Sequence, residues 1–216
     1  MPAAMTYNSL IQDLQRYLER GYVSDPLVYA QLPELINFAE RDIATKLKIL
    51  GLLDVVTSTL TAGVSVYSKP DRWRQTASIN FGIGVSPNTT RNPLYPRSME
   101  YCRFYWPNSE LLDVPLFYAD YDYQHWLIAP TPVANYPMEV NYYQQPPLLD
   151  SVNQSNWLTD YAPQLLLYGA LVQANPFLKD GPWTQQWKDT YAAEMASVNA
   201  QDLQRIVDRT TVRRTV

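Results

Sequence analysis

MEVNYYQQPPLLDSVNQSNWLTDYAPQLLLYGALVQANPFLKD, residues 138–180, carries two kinds of structure in one run. Its opening residues alternate in the period-two manner of a strand over 139–143, with β-branched and aromatic members. Pro146 and Pro147 close that strand, since neither has an amide donor for a ladder. Helical period starts at Asn156, a capping residue type, and Pro163 suits a first helical turn. Leu166, Ala170 and Ala174 then share a face, with Leu167, Leu171 and Phe177 beside it, and Asn175-Pro176 is expected to break the run. A strand handing over directly to a capped apolar helix makes the fold mixed, and the rest of the chain follows from which side of this junction it resembles.

The two ends resemble the helix. Leu10, Ile11, Leu14, Tyr17 and Leu18 recur at helical spacing over 8–20, with Asn8 or Thr6 as cap and Gly21 as stop. A second helix is expected from Leu32, with Pro33 in its first turn, through Leu35, Ile36, Ala39, Ile43, Leu47 and Leu50 to Gly51. Glu34, Glu40, Arg41, Lys46 and Lys48 are placed off its apolar stripe. After a turn at Lys179-Asp180-Gly181, Pro182 opens a last helix in which Trp183, Trp187, Tyr191 and Met195 stand four apart, a row read as core. Leu203 and Ile206 extend it, and 207–216 has neither a core stripe nor turn chemistry and reads as an extended tail.

The middle resembles the strand. DVVTSTLTAGVSVYS, residues 54–68, has β-branched alternation around Thr-Ala-Gly and predicts a hairpin. Ten of the 17 prolines lie between Pro87 and Pro147, which forbids long helices there. Candidate strands at 77–81, 101–106, 116–118, 125–128 and 139–143 suggest an antiparallel meander, and 85–98, VSPNTTRNPLYPRS, reads as a long projecting loop carrying Arg91 and Arg97. The expected class is therefore α+β. A helical bundle of 1–51 and 155–206 receives an antiparallel, Pro- and Tyr-rich insert, 52–154.

Composition narrows the function. With 17 Lys and Arg against 21 Asp and Glu, the net charge of −4 gives no general attraction to phosphates, which disfavours free DNA binding. Cys102 is the single cysteine, so no disulfide framework exists, and this suits a reducing compartment. No run of eighteen apolar residues and no basic, apolar leader is found, so membrane spans and secretion signals are not expected. The 17 Tyr and 6 Trp are residue types that recur where proteins meet.

No residue set predicts a reaction, a metal or a cofactor. His125 is the only histidine and lacks companions at ligand spacing, so a structural role is favoured. Asp113, Asp120, Asp122 and Glu139 read as solvated carboxylates rather than an acid and base pair. Cys102, among Tyr101, Phe104 and Trp106, reads as a buried thiol, and Gly82 and Gly84 do not continue into a phosphate loop. In YADYDYQHW, residues 118–126, Tyr118 and Trp126 are expected to pack on the helices while Tyr121 and Tyr123 meet a neighbouring subunit. The competing reading makes those tyrosines a stacking platform for sugars, in a carbohydrate-binding module or a tail-associated glycan hydrolase.

Three segments carry a family resemblance: FAERDIATKLKI (38–49), DVPLFYADYDYQHWLIAPTPVANYPMEVNYYQQPP (113–147) and NWLTDYAPQLLLYGALVQANPFLKD (156–180). Together they are similar to the head-to-tail adaptor proteins of tailed double-stranded DNA bacteriophages. That resemblance implies a structural, non-enzymatic subunit of a ring, usually a dodecamer, assembled in the host cytoplasm and held in the virion neck. It further implies binding to the portal protein and to tail or nozzle proteins, with genomic DNA passing through the lumen unread. The family has no catalytic residues to carry over, and the 85–98 loop has no counterpart in the pattern. The residues expected to meet partners are Arg91 and Arg97 of the loop, Tyr121 and Tyr123, and Arg209, Arg213 and Arg214 of the tail, where three arginines against Asp208 suit an arm docking on an acidic or strand-edged groove.

Overall fold

A computed structural model of the chain describes residues 5–19, 23–83, 90–178 and 184–207. The described residues form a mixed α+β structure, and the chain divides into two compact units: Met1–Leu52 with Gln145–Val216, and Leu53–Gln144.

The first unit is helical. Helix α1, Tyr7–Leu18, begins at Thr6, whose Oγ1 accepts the Ser9 N–H (3.2 Å) while Ser9 Oγ accepts the Thr6 N–H (2.8 Å). This reciprocal cap satisfies donors that a helix start leaves open. Tyr7, Leu10, Leu14 and Leu18 form its buried face. Helix α2, Pro26–Lys46, starts six residues before the expected Leu32. Asp25 supplies the cap by accepting the Val28 N–H (3.1 Å), Pro26 takes the first-turn position, and Pro33 lies inside the helix. Losing one main-chain hydrogen bond at Pro33 is offset by burial of Leu32, Leu35, Ile36, Ala39 and Ile43, so the proline is tolerated rather than initiating. The helix ends at Lys46, short of Gly51, and a single 3₁₀ turn covers Leu50–Leu52.

Asn156 does cap a helix, α4, but it is only Trp157–Tyr161. Ala162 then leaves helical geometry, as a residue preceding proline is biased to do, and α5 restarts as Pro163–Leu178. The expected break at Asn175-Pro176 does not occur, because α5 runs through it. Leu165, Leu166, Leu167, Ala170, Leu171 and Ala174 are all buried, which fits a helix packed by α2, α6, α1 and α4. Gly169 permits that crowding, since a Cβ there would stand 3.2 Å from the Tyr191 ring and 3.3 Å from Ala39 Cβ. Helix α6, Thr184–Val207, contributes buried Tyr191 with half-buried Trp187 and Met195. The expected row is therefore core at one position only, and its Trp183 lies outside the described residues.

The second unit is a curled seven-stranded sheet in the order β1-β9-β3-β4-β6-β7-β2. The strands are β1 Leu53–Leu60, β2 Val66–Ser68, β3 Trp73–Ile83, β4 Thr90–Pro96, β6 Phe117–Asp120, β7 His125–Ala129 and β9 Tyr136–Gln144; β5 Leu112–Asp113 and β8 Thr131–Pro132 form a separate pair. Leu60 of β1 and Trp126 of β7 share one buried cluster with Ile79, Phe81, Ile128, Met138 and Val140, which is possible only because the sheet curls. Two register shifts in β3, at Trp73/Gln75 and Thr76/Ser78, supply bend and twist.

Several expectations fail here. Residues 54–68 do not make a hairpin: β1 and β2 sit at opposite edges of the sheet. Gly63 at φ 78 donates its N–H to Pro132 O (2.9 Å), and Tyr67 Oη accepts the Thr61 N–H (2.8 Å) and donates to Val64 O (2.8 Å), so the turn closes on itself rather than zipping its flanks. The sheet is not a meander, because β4 pairs with β6 in parallel. Residues 101–106 are no strand but lie in helix α3, Met99–Tyr105, nucleated by Ser98, whose hydroxyl accepts the Tyr101 N–H (3.2 Å). The 85–98 loop is largely strand β4 in its second half; buried Leu94 holds it against β3, and residues 84–89 lie outside the described residues.

Candidate interaction surface

Helix α3 buries Cys102 against Ala119 and Ala129, with Met99 partly buried beside it, and leaves Tyr101, Phe104 and Tyr105 exposed. Phe104 is 88% exposed, and Tyr95, Tyr101, Tyr105, Leu111, Leu112 and Leu116 are exposed as well. The Tyr101 and Tyr105 rings stack at 6.3 Å, both set their faces edge-on to Phe117 (5.4 and 5.0 Å), and the Arg97 guanidinium lies over Tyr101 and Phe117 (5.4 and 5.5 Å). Burial pushes the Cys102 thiol up, against the pull of Arg97, so it stays a thiol.

The other expected contact residues are placed separately. Arg91 on β4 is largely exposed and pairs with Glu139 (3.0 Å). Tyr121 is half-exposed beneath the Arg103 guanidinium (5.7 Å). Tyr123 is 68% exposed and meets the Trp73 ring edge-on at 5.7 Å. Tyr118 and Trp126 do not pack on helices as expected but in the sheet's own core, where the Trp126 indole N–H donates to Thr76 Oγ1 (2.9 Å). Arg209, Arg213 and Arg214 lie outside the described residues.

The carboxylates considered for chemistry are each engaged apart. Asp120 pairs with Lys69 (2.7 Å), whose side chain is 2% exposed and whose Nζ sits 3.6 Å over the Trp73 ring. Asp122 pairs with His125 (2.9 Å), and that bond holds the Asp122 carboxyl below its ordinary range. Glu139 belongs to Arg91, and Asp113 Oδ1 accepts the Val114 N–H (2.7 Å). A polar recess of about 330 Å³ lies beside Trp73, Tyr123 and His125, but Lys69 already covers the indole face that a sugar ring would need. Among the described residues no three His, Cys, Asp or Glu gather as metal ligands, and no helix is long and apolar enough to cross a membrane.

In the helical unit, an open groove of about 770 Å³ is lined by Trp157, Tyr161, Gln164, Glu194 and Val198. Trp157 stacks on Tyr161 at 5.7 Å, and its indole lies where a side chain at residue 51 would be, which only glycine allows. Glu40, expected off the apolar stripe, is instead fully buried. Its carboxylate accepts the Leu149 N–H (3.1 Å) and Asn156 Nδ2 (2.6 Å), and Asn37, oriented to satisfy both ends of its amide, donates to it at 3.2 Å. Asn156 in turn caps α4, so one carboxylate fixes 147–156 and the start of that helix. Burial raises its pKa to about 7, opposed by the Leu149 and Asn156 bonds and the Arg41 charge. Its position between Ile36 and Ile43 was the available signal for burial, and its charge masked it.

No curated protein matches the chain. A family match does cover it, from residue 5 to residue 215, and the family is described as the SU10 adaptor protein. That span takes in both units. The chain belongs to the SU10 adaptor protein family, the kind of phage head-to-tail adaptor that its sequence resembles.

Proposed function

We propose that this protein is a structural ring subunit, dodecameric by resemblance, which joins the portal to the tail in the virion neck and lets genomic DNA pass. The observation that carries this reading is the match over nearly the whole chain to an adaptor family. The exposed aromatic face of α3 supports it, because a face of that composition suits burial against another protein. In the same reading the helices of the terminal regions act as one bundle, and Arg91, Arg97, Tyr121 and Tyr123 meet neighbouring proteins. Arg209, Arg213 and Arg214 belong to an arm that docks on the portal or on the next copy. A net charge of −4 fits a conduit that must release DNA, since tight phosphate binding would stall it. Electron microscopy of the full chain mixed with its cognate portal tests the reading: a ring capping the portal is expected, and a persistent monomer overturns it.

The glycan-binding reading keeps one support, the exposed Tyr121 and Tyr123. Glycan titration distinguishes it. Binding abolished by Tyr121→Ala and Tyr123→Ala, with portal association intact, would establish that second role.

A further inference from the structure

We propose that the outer edge of β1 is a strand-docking site, and that its occupant is residues 208–216 of a neighbouring copy of this chain. An open sheet edge presents unpaired amides and carbonyls, and proteins usually blunt it with proline, lysine, a bulge or brevity. β1 has none of these. It is eight residues long, LDVVTSTL, without Pro or Lys, and its register with β9 runs unbroken from Leu53↔Tyr143 to Leu60↔Tyr136. Its other side has no strand among the described residues.

The edge also has a readable polarity. The Val55 N–H donates to Asp54 Oδ1 (2.8 Å) and so faces away from β9. In an antiparallel ladder, alternate residues point the same way, which puts the Thr57 and Thr59 amides on the same open side. Asp54 thus occupies one donor and leaves two for an incoming strand. Val56 and Leu60 pack toward the core, whereas Val55, Thr57 and Thr59 are exposed on the other face.

Charge selects the occupant. β1 and β9 carry only Asp54 and Glu139 as charged residues; Glu139, opposite Thr57, is already paired with Arg91, so Asp54 is the carboxylate that this edge offers. A second β1 brought to this edge would add acidic charge and no cation. Residues 208–216, DRTTVRRTV, hold three arginines against one aspartate, a net of +2, which leaves −6 on the rest of a chain of net −4. Their two valines and three threonines favour an extended strand, and no Pro or Gly interrupts them. At about 3.3 Å per residue this segment matches the reach of β1, so strand addition supplies main-chain bonds while an arginine meets Asp54. The proposal takes from the preceding reading only that copies of this chain meet one another.

The test uses the full chain and a labelled synthetic peptide of residues 208–216. The peptide is expected to bind, to slow hydrogen exchange of the Thr57 and Thr59 amides by about tenfold or more, and to bind more weakly as salt rises. Thr57→Pro, which removes an outward donor from an edge strand, should weaken binding about tenfold, and so should a Val212→Pro peptide, which leaves the folded chain untouched. In the chain without peptide, protection at Thr57 and Thr59 should grow with protein concentration and be lost in the Val212→Pro chain. No binding, or binding that protects other residues, overturns the proposal. Protection unchanged by dilution would place the segment on its own chain's edge, and concentration-dependent protection that survives Val212→Pro would mean β1 pairing with β1; either also overturns it. A chain that caps the portal with β1 unprotected rejects the docking site and keeps the adaptor, whereas β1 protection by peptide in a chain that never joins the portal does the reverse.

Discussion

The helical unit and the sheet unit both bury apolar residues, yet they are specified at different ranges. In α1 and α2 the buried residues stand three and four apart, so each helix states its inner face in a dozen residues. In the sheet, Leu60, Ile79, Trp126 and Met138 come from four strands that are neighbours only after the chain has crossed itself. Local period therefore writes the helices, while curl and strand order are written in contacts distant in sequence. A substitution in the sheet core should accordingly remove more than its own contacts.

The largest effect that would sharpen this contrast is Trp126→Ala. The side chain is 1% exposed, fills the centre of the sheet core and donates to Thr76 Oγ1. A loss of about 3–5 kcal/mol is expected, mostly from the cavity, since Thr76 Oγ1 still accepts the Trp73 indole N–H (3.1 Å). Urea unfolding followed by near-ultraviolet circular dichroism measures it. A loss below about 1 kcal/mol would mean that the curled core does not depend on its largest member.

Next comes a buried charge, where the helical unit departs from its own simplicity. Glu40 has its folded pKa raised from 4.5 to about 7 by burial. A raised acid contributes stability that is full below the unfolded pKa and is lost as pH rises through the folded one. The chain should therefore lose stability between about pH 4.5 and 7, by about 2–3 kcal/mol from this group. Glu40→Gln cannot ionise and should flatten that slope. It would also lose one acceptor facing the Leu149, Asn156 and Asn37 donors, at a cost of about 1–2 kcal/mol. Denaturant midpoints measured across this range decide the matter, and a wild-type midpoint that rises with pH would show the donors outweighing burial.

Legibility in the sequence follows the same division. Thr6 and Asn156 as caps, the apolar stripes of α1, α2 and α5, and the strand over 139–143 are all evident from neighbours within one or two turns. What fails is whatever needs a distant partner. Residues 54–68 look like a hairpin because hairpin chemistry is local, but β1 finds β9 and β2 finds β7 across the chain. Pro33 and Pro176 look like boundaries because propensity is local, whereas tertiary burial carries α2 and α5 through them. α3 is the instructive miss: Tyr101, Phe104, Tyr105 and Trp106 favour a strand by type, but Ser98 caps a helix that fully buries only Cys102 and leaves the Tyr101, Phe104 and Tyr105 rings outside. Of the expected contact residues, Arg97 lies over the Tyr101 and Phe117 rings beside α3 rather than in a loop, which its sequence neighbours did not signal.

A smaller effect tests how far a helical stripe can be trusted. Trp187 was expected in the core and is only half-buried, beside the fully packed Tyr191. Trp187→Ala should cost about 1–2 kcal/mol rather than the 3–5 of a buried indole. Thermal unfolding alongside Trp126→Ala gives the ratio directly. Equal losses would restore Trp187 to the core and remove the difference between the units.

The smallest effect on stability should accompany the largest effect on assembly. Phe104 is 88% exposed on α3, so its ring gains little from the fold, and Phe104→Ser should change the unfolding free energy by no more than about 0.5 kcal/mol. If the aromatic face exists for a partner, the same substitution removes a large apolar side chain from the middle of a contact, where single residues often carry more than 1 kcal/mol of binding. Sedimentation of the full chain alone and with portal then separates two explanations of one exposed ring. Reduced association at unchanged stability assigns α3 to the interface. Unchanged association assigns it to no contact, and the partner-facing role would pass to another surface such as the outer edge of β1.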